Sequence, residues 1–187
     1  MIDSPNRSAF FRRFSFLAWA YSAFVSFAAL ATLALLGLFF ASPLLAGDLY
    51  EGRVERVVDG DTIQLLTGDY ERVRVRLYGI DAPEKNQDGG QASLAALKNL
   101  IEGRLVTVDV LDVDRYSRLV GLIYLDGESI SQTMIALGQA WVYEAYCKVK
   151  VCQDFRAAQG QARRDKLGLW ADPDPRPPWE HRRSKRN

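Results

Sequence analysis

The chain's 187 residues carry 24 Lys and Arg against 23 Asp and Glu, for a net charge of +1. That length holds one domain plus appendages, and so even a balance argues against a nucleic-acid binder working by bulk charge alone. The single histidine, His181, and two cysteines, Cys147 and Cys152, exclude a Ser-His-Asp triad, an HExxH zinc site, a histidine general base inside a fold and a structural zinc cage, so any metal must sit on oxygen ligands, as calcium, magnesium or manganese do.

From Phe14 to Ala46 there is no charged residue. The run exceeds both the roughly 20 apolar residues that cross a bilayer and the about 7–15 of a signal-peptide core. Arg7, Arg12 and Arg13 precede it, while Asp48 and Glu51 follow. The positive-inside bias therefore leaves residues 1–13 cytoplasmic and sends the rest of the chain out. We expect residues 14–46 to form a transmembrane anchor, with a long signal sequence cleaved between Ala46 and Gly47 as the alternative. Either way the following domain is extracytoplasmic: periplasmic or cell-surface if anchored, secreted if cleaved.

Glu51–Val58 reads as a strand, stopped by the turn signal Asp59-Gly60-Asp61, and Thr62–Leu66 as a second. Residues 71–77 alternate, with Val73, Val75 and Leu77 toward a core and Arg72, Arg74 and Arg76 on the other face. Asp81-Ala82-Pro83-Glu84 ends that strand, because proline cannot serve a ladder. Gln91–Glu102 is predicted helical, with Leu94, Leu97 and Ile101 on one face and Gly103 as the stop. Leu105–Val113 and Leu119–Leu125 are strands joined by a polar turn. Ser129–Leu137 is a helix with Ser129 and Gln132 spaced as a capping box, and Cys152–Lys166 is the last helix, closed by Gly168. Four prolines from Pro173 to Pro178 and five basic residues from Arg176 onward predict an extended, solvated tail over 171–187; a weak hold on nucleic acid or anionic lipid is the lesser alternative. In an exported domain Cys147 and Cys152 read as one disulfide ahead of free thiols.

These elements predict an α+β domain over 51–170: a five-stranded OB-fold β-barrel with three helices, preceded by the transmembrane helix. If the hairpin turn centres on Gly68 and Asp69, paired residue numbers sum to about 137, within about two of register. Asp61 then lies opposite Arg76, and Asp81 sits at the same end of the hairpin, with Glu84 one short turn on. Clustered carboxylates raise one another's pKa values unless a cation intervenes, and calcium accepts such ligands with loose geometry. Taken singly, each Asp is an ordinary turn former, and each Arg an ordinary solvent-facing strand residue.

Taken together, Val57-Val58-Asp59-Gly60-Asp61-Thr62, Arg76-Leu77-Tyr78-Gly79-Ile80-Asp81-Ala82-Pro83-Glu84, Asp114-Arg115-Tyr116-Ser117-Arg118 and Lys166-Leu167-Gly168-Leu169-Trp170 resemble the staphylococcal nuclease (thermonuclease) family over about residues 51–170. The resemblance implies an OB-fold nuclease that hydrolyses DNA and RNA phosphodiesters with Ca²⁺, breaking the 5′ P–O bond and leaving 3′-phosphates. It implies metal binding by Asp61, Asp81 and the backbone carbonyl of Ala82, a general base at Glu84, and phosphate-binding arginines at Arg76 and Arg118. Ala82 stands where the type member has threonine, which removes a hydroxyl but not a carbonyl. Tyr116, Tyr143 and Tyr146 are candidate substrate contacts, with aromatic core packing equally open for Tyr143 and Tyr146. The expected partners are nucleic acid and, through the N-terminal helix, the membrane, with a monomeric nuclease domain. The alternative is a membrane-anchored OB-fold module that binds nucleic acid without cutting it.

Overall fold

In the computed structural model the described residues are 49–185; the expected cytoplasmic segment and the span 14–46 lie outside them. Among the described residues no helix is long and apolar enough to cross a membrane.

Three strands open the fold: β1 (Leu49–Asp59), β2 (Thr62–Thr67) and β3 (Arg72–Leu77). They form an antiparallel meander because apolar residues alternate along each, placing Val54, Ile63, Leu65, Val75 and Leu77 in the core. The hairpin register differs by one residue from the expected one: Arg76 pairs with Thr62, not Asp61. The cause is Tyr70, which takes a left-handed φ of 62° and lengthens the turn beyond Gly68 and Asp69. Its N–H donates to the Thr67 carbonyl, and the Thr67 N–H to the Glu71 carbonyl.

β5 (Leu105–Val113) and β6 (Leu119–Leu125) have the expected bounds. β5 pairs with β1 and with β6, and β6 runs parallel to β3, where Val75 faces Leu119 and Leu77 faces Gly121. That last pairing closes β3-β2-β1-β5-β6 into a five-stranded, OB-like barrel, as expected. A two-residue strand β7 (Glu128–Ser129) extends β6. Like β7, two further short strands were not foreseen: β4 (Ile80–Asp81) and β8 (Trp141–Val142), paired as Ile80 with Val142 and Asp81 with Trp141.

Three helices pack outside the barrel. α1 (Gly90–Ile101) turns Ser93, Leu97 and Ile101 inward. α2 (Ile130–Ala136) starts where the capping box placed it, the Ser129 side chain accepting from the Gln132 N–H; a cap of this kind stabilises by about 1 kcal/mol. α3 (Cys152–Arg164) buries Phe155 completely, beside Ile80, Met134 and Ile135 in one continuous core. Burying each such side chain contributes about 1.5–3 kcal/mol. Cys147 and Cys152 are disulfide-bonded and buried, and the Tyr78 hydroxyl accepts from the Lys148 N–H at 2.8 Å to hold the same loop.

The tail corrects the sequence reading. After a 3₁₀ turn at Gly168–Ala171, the chain forms a fourth helix, α4 (Pro178–Ser184). Proline opens it at N1, where a missing N–H costs nothing. Pro178 is buried, and the Trp179 ring lies parallel to Tyr143, 5.4 Å between centroids, and edge-on to Trp141. Aromatic contacts replace the solvation expected from composition.

Candidate active site

The site grows from the Asp59-Gly60-Asp61 link between β1 and β2. Gly60 is needed there for space: a Cβ at that position would overlap the Ser93 hydroxyl of α1 and lie 2.7 Å from the Ala82 Cβ. The link is thereby pressed against the segment that follows β4, and the Ala82 N–H donates to Asp61 Oδ2 at 3.2 Å. Asp61 is buried, and Asp81 is completely so.

Arg76, last but one in β3, spans the two aspartates. Its Nη1 donates to Asp61 Oδ1 at 3.1 Å, and its Nη2 lies 3.0 Å from both Asp61 Oδ2 and Asp81 Oδ1. Asp61 and Asp81 are thus neighbours across one guanidinium, as the hairpin argument expected within its tolerance of register. Burial works against the charge on Arg76, but the fields of Asp61 and Asp81 outweigh it and raise its pKa. Arg118 stands at the start of the β6 side of the barrel. Asp114 holds it from below, Oδ2 accepting from Nε at 2.7 Å, and its Nη1 reaches the Thr62 hydroxyl at 3.4 Å. That hydroxyl donates to Asp61 Oδ1 at 2.9 Å, so Arg118 joins the cluster through Thr62.

The electrostatics show surplus negative charge. Burial pushes the Asp59 carboxyl up to about 7, and the adjacent Asp61 adds to the rise. Burial also raises Asp81, with Asp61 contributing, against the lowering contacts of Arg182 and Arg76. Among the described residues no three acidic, histidine or cysteine side chains converge as a ready-made cation cage. The carboxylates are instead bridged by guanidiniums. The donor set is nonetheless the one a hard cation takes: oxygen only and anionic.

Two participants were missed. Asp59 stood in the quoted motif but was read as a turn former, because one residue in a turn says nothing of burial. Arg182 was assigned to the solvated tail. Its Nη1 donates to Asp81 Oδ1 at 3.1 Å and to Glu84 Oε1 at 2.9 Å, and its Nη2 to Asp81 Oδ2 at 2.6 Å. Burial opposes its charge, but these bonds raise its pKa further above the ordinary arginine value. The only sequence signal was an arginine-rich helix-length segment with a tryptophan three residues before Arg182, on the same helical face.

The remaining candidates fall into two groups. Glu84 stands at the mouth of the cluster, its side chain 43% exposed. Tyr116 is exposed beside the site, with the Arg115 and Arg118 guanidiniums 5.0 and 5.5 Å from its ring centre. Tyr143 lies beneath Trp179, and the exposed Tyr146 tilts against Tyr143 at 4.8 Å. Neither tyrosine belongs to the fully buried core.

The family model described as "Staphylococcal nuclease homologue" matches residues 74–172. That segment contains Arg76, Asp81, Glu84 and Arg118 and begins after Asp61. An uncharacterized endonuclease of Escherichia coli O157:H7 is 46% identical over 147 residues, covering 78% of this chain and 93% of that protein. Protein ParB of Escherichia coli is 38% identical over 166 residues, covering 84% and 92%. A micrococcal nuclease of Shigella flexneri is 37% identical over 147 residues, covering 74% and 83%.

Proposed function

This chain belongs to the staphylococcal nuclease homologue family and is a nuclease acting on nucleic acid; from that premise we propose that it hydrolyses DNA and RNA phosphodiesters with calcium at the Asp61–Asp81 cluster. The observation that carries the reading is Arg76 drawing two buried aspartates together at 3.0–3.1 Å beside Arg118. Buried carboxylates at one point, flanked by guanidiniums, suit a reaction in which a cation and a phosphate meet.

Asp61, Asp81 and the Ala82 carbonyl would hold the ion, with Asp59 adding negative charge behind them. When bound, calcium neutralises charge on the phosphate and orients the attacking water. Arg76 and Arg118 grip the non-bridging oxygens, where negative charge grows as phosphorus becomes five-coordinate, so they act more strongly on the transition state than on the substrate. The guanidinium fork gives paired hydrogen bonds that one ammonium cannot. Glu84 takes the proton of the attacking water, a contribution of about 10²–10⁴-fold. The water oxygen bonds to phosphorus, the 5′-oxygen leaves and takes a proton from solvent, and a 3′-phosphate remains. Tyr116 and Tyr143 border the site as surfaces for nucleobases. The Cys147–Cys152 disulfide supports an exported working place, since oxidising compartments maintain such bonds.

The test is incubation of the purified chain with single-stranded and plasmid DNA, in calcium or in chelator. Degradation is expected in calcium only and lost in Glu84→Gln and Arg118→Ala. DNA binding without cleavage would replace the enzyme by a binding module.

A further inference from the structure

α4 occupies the site with its own chemistry. Arg182 takes both oxygens of Asp81 and one of Glu84, and Asp81 Oδ1 also accepts from Arg76. A carboxylate offers about four lone-pair sites. On Asp81 both sites of Oδ1 are engaged and Oδ2 has one left, so a cation entering this carboxylate meets a guanidinium of like charge. Glu84 is tied to the same guanidinium through Oε1, while Oε2 stays open to solvent. On the same helix Trp179 lies parallel to Tyr143, with 1° between ring planes, so an aromatic side chain covers the face a nucleobase would stack on.

We propose that residues 176–184 form an intramolecular plug, in which Arg182 stands in for the divalent cation and Trp179 for a nucleobase, holding the nuclease inactive until cation and nucleic acid displace them together. The proposal rests on the nuclease reading above for the identity of what is displaced.

The plug is built to leave. α4 has seven residues, far below the about 12–15 at which an isolated helix becomes even marginally stable, so its order depends on docking. Its attachments are few: the Arg182 bonds, the Trp179 contacts, the buried Pro178, the buried Nε2 edge of His181 and a hydrogen bond from Gln87 Nε2 to the Arg176 carbonyl at 2.7 Å. Arg182 is 36% exposed at its side chain, so a competing cation approaches from solvent. Release frees Arg182 to join Arg176, Arg183 and Lys185, which are already exposed, so that a polyanion would hold the segment away from the carboxylates.

A plug closed about nine-tenths of the time weakens apparent ligand affinity about tenfold. The test uses the full chain and two variants, Arg182→Gln and Trp179→Ala, which detach the segment at different points. Calorimetric titration with calcium chloride alone reads the cation site without catalysis, and cleavage of single-stranded DNA over a calcium series gives the half-maximal concentration. Calcium affinity about tenfold tighter in Arg182→Gln, tightened also in Trp179→Ala, with a matching fall in the calcium midpoint, is the expected result. Calcium-dependent cleavage with an unchanged midpoint and unchanged affinity in both variants would remove the plug and leave the nuclease mechanism standing. Tighter calcium binding in variants that, like the parent, never cut DNA would keep the plug and remove the mechanism. Unchanged calcium affinity with a lower kcat at saturating calcium in Arg182→Gln would make Arg182 part of the catalytic machinery and end the proposal.

Discussion

The guanidinium of Arg76 donates to Asp81 at 3.0 Å, and Asp81 has no exposed surface, so the charge on this aspartate depends on what is packed against it. Arg76 satisfies Asp61 with the same fork. One side chain therefore gathers the carboxylates and, in the proposed mechanism, would also meet the phosphate.

Replacing Arg76 by lysine separates those roles. Lysine keeps the charge but cannot reach two aspartates and a phosphate with fixed, coplanar donors. Cleavage should fall about 10²–10³-fold, the range for removing one preorganised transition-state donor, while calcium still supports the residual rate. The check is steady-state kinetics on a single-stranded oligonucleotide; near-normal turnover in Arg76→Lys would take the phosphate grip away from this residue.

What could be read from the sequence divides by range. β5 and β6 were legible to the residue because alternating apolar side chains bounded by turns define them locally, and the α2 cap was legible because Ser129 and Gln132 act within one turn. The β2–β3 register was legible only to within about two residues and lies one from the centre of that range, because Tyr70 adopts a left-handed conformation that tyrosine seldom takes and no local pattern announces. β4 and β8 are two residues each and exist only because Asp81 meets Trp141 across the fold. α4 was hidden for the same reason: its prolines and arginines look solvated until Trp179 finds Tyr143. Asp61, Asp81 and Arg76 were brought together by hairpin geometry and Arg118 was added by the resemblance, and the structure gathers these four side chains in one place. Arg182 reaches that place from 101 positions beyond Asp81, a distance no pattern spans.

Gly79 should be intolerant of a side chain. It turns the chain from β3 into β4 at φ +76°, and a Cβ there would lie 2.7 Å from the Cys147 sulfur and 3.2 Å from Phe155. Left-handed backbone costs a non-glycine residue roughly 1–2 kcal/mol, and overpacking adds about 1–3. Gly79→Ala should lower stability by about 2–5 kcal/mol in denaturant titration. Because the same turn aims Asp81, calcium affinity should weaken too. A variant as stable as the parent would show that the disulfide loop yields freely at this point.

Asp114 gives the fold a defined acid response. Burial alone would raise its pKa, but the N–H groups of Arg118 and Tyr116 and the Arg118 guanidinium outweigh burial and hold it below the ordinary 3.8. A group whose folded pKa is depressed binds fewer protons folded than unfolded, so its contribution is full above the unfolded pKa and disappears as pH falls through the folded one. Asp114→Asn keeps the shape and removes the charge. Its melting temperature should lie about 2–4 °C below the parent's at neutral pH, the effect of roughly 1 kcal/mol in a domain of this size. The gap should close as the pH falls below about 3.8 and the parent's own carboxylate is protonated. Thermal melts of both proteins between pH 7 and pH 2.5 measure it. A gap that stays constant into the acid range would mean that Asp114 holds the Arg118 loop by shape and neutral hydrogen bonding, with no share from its charge.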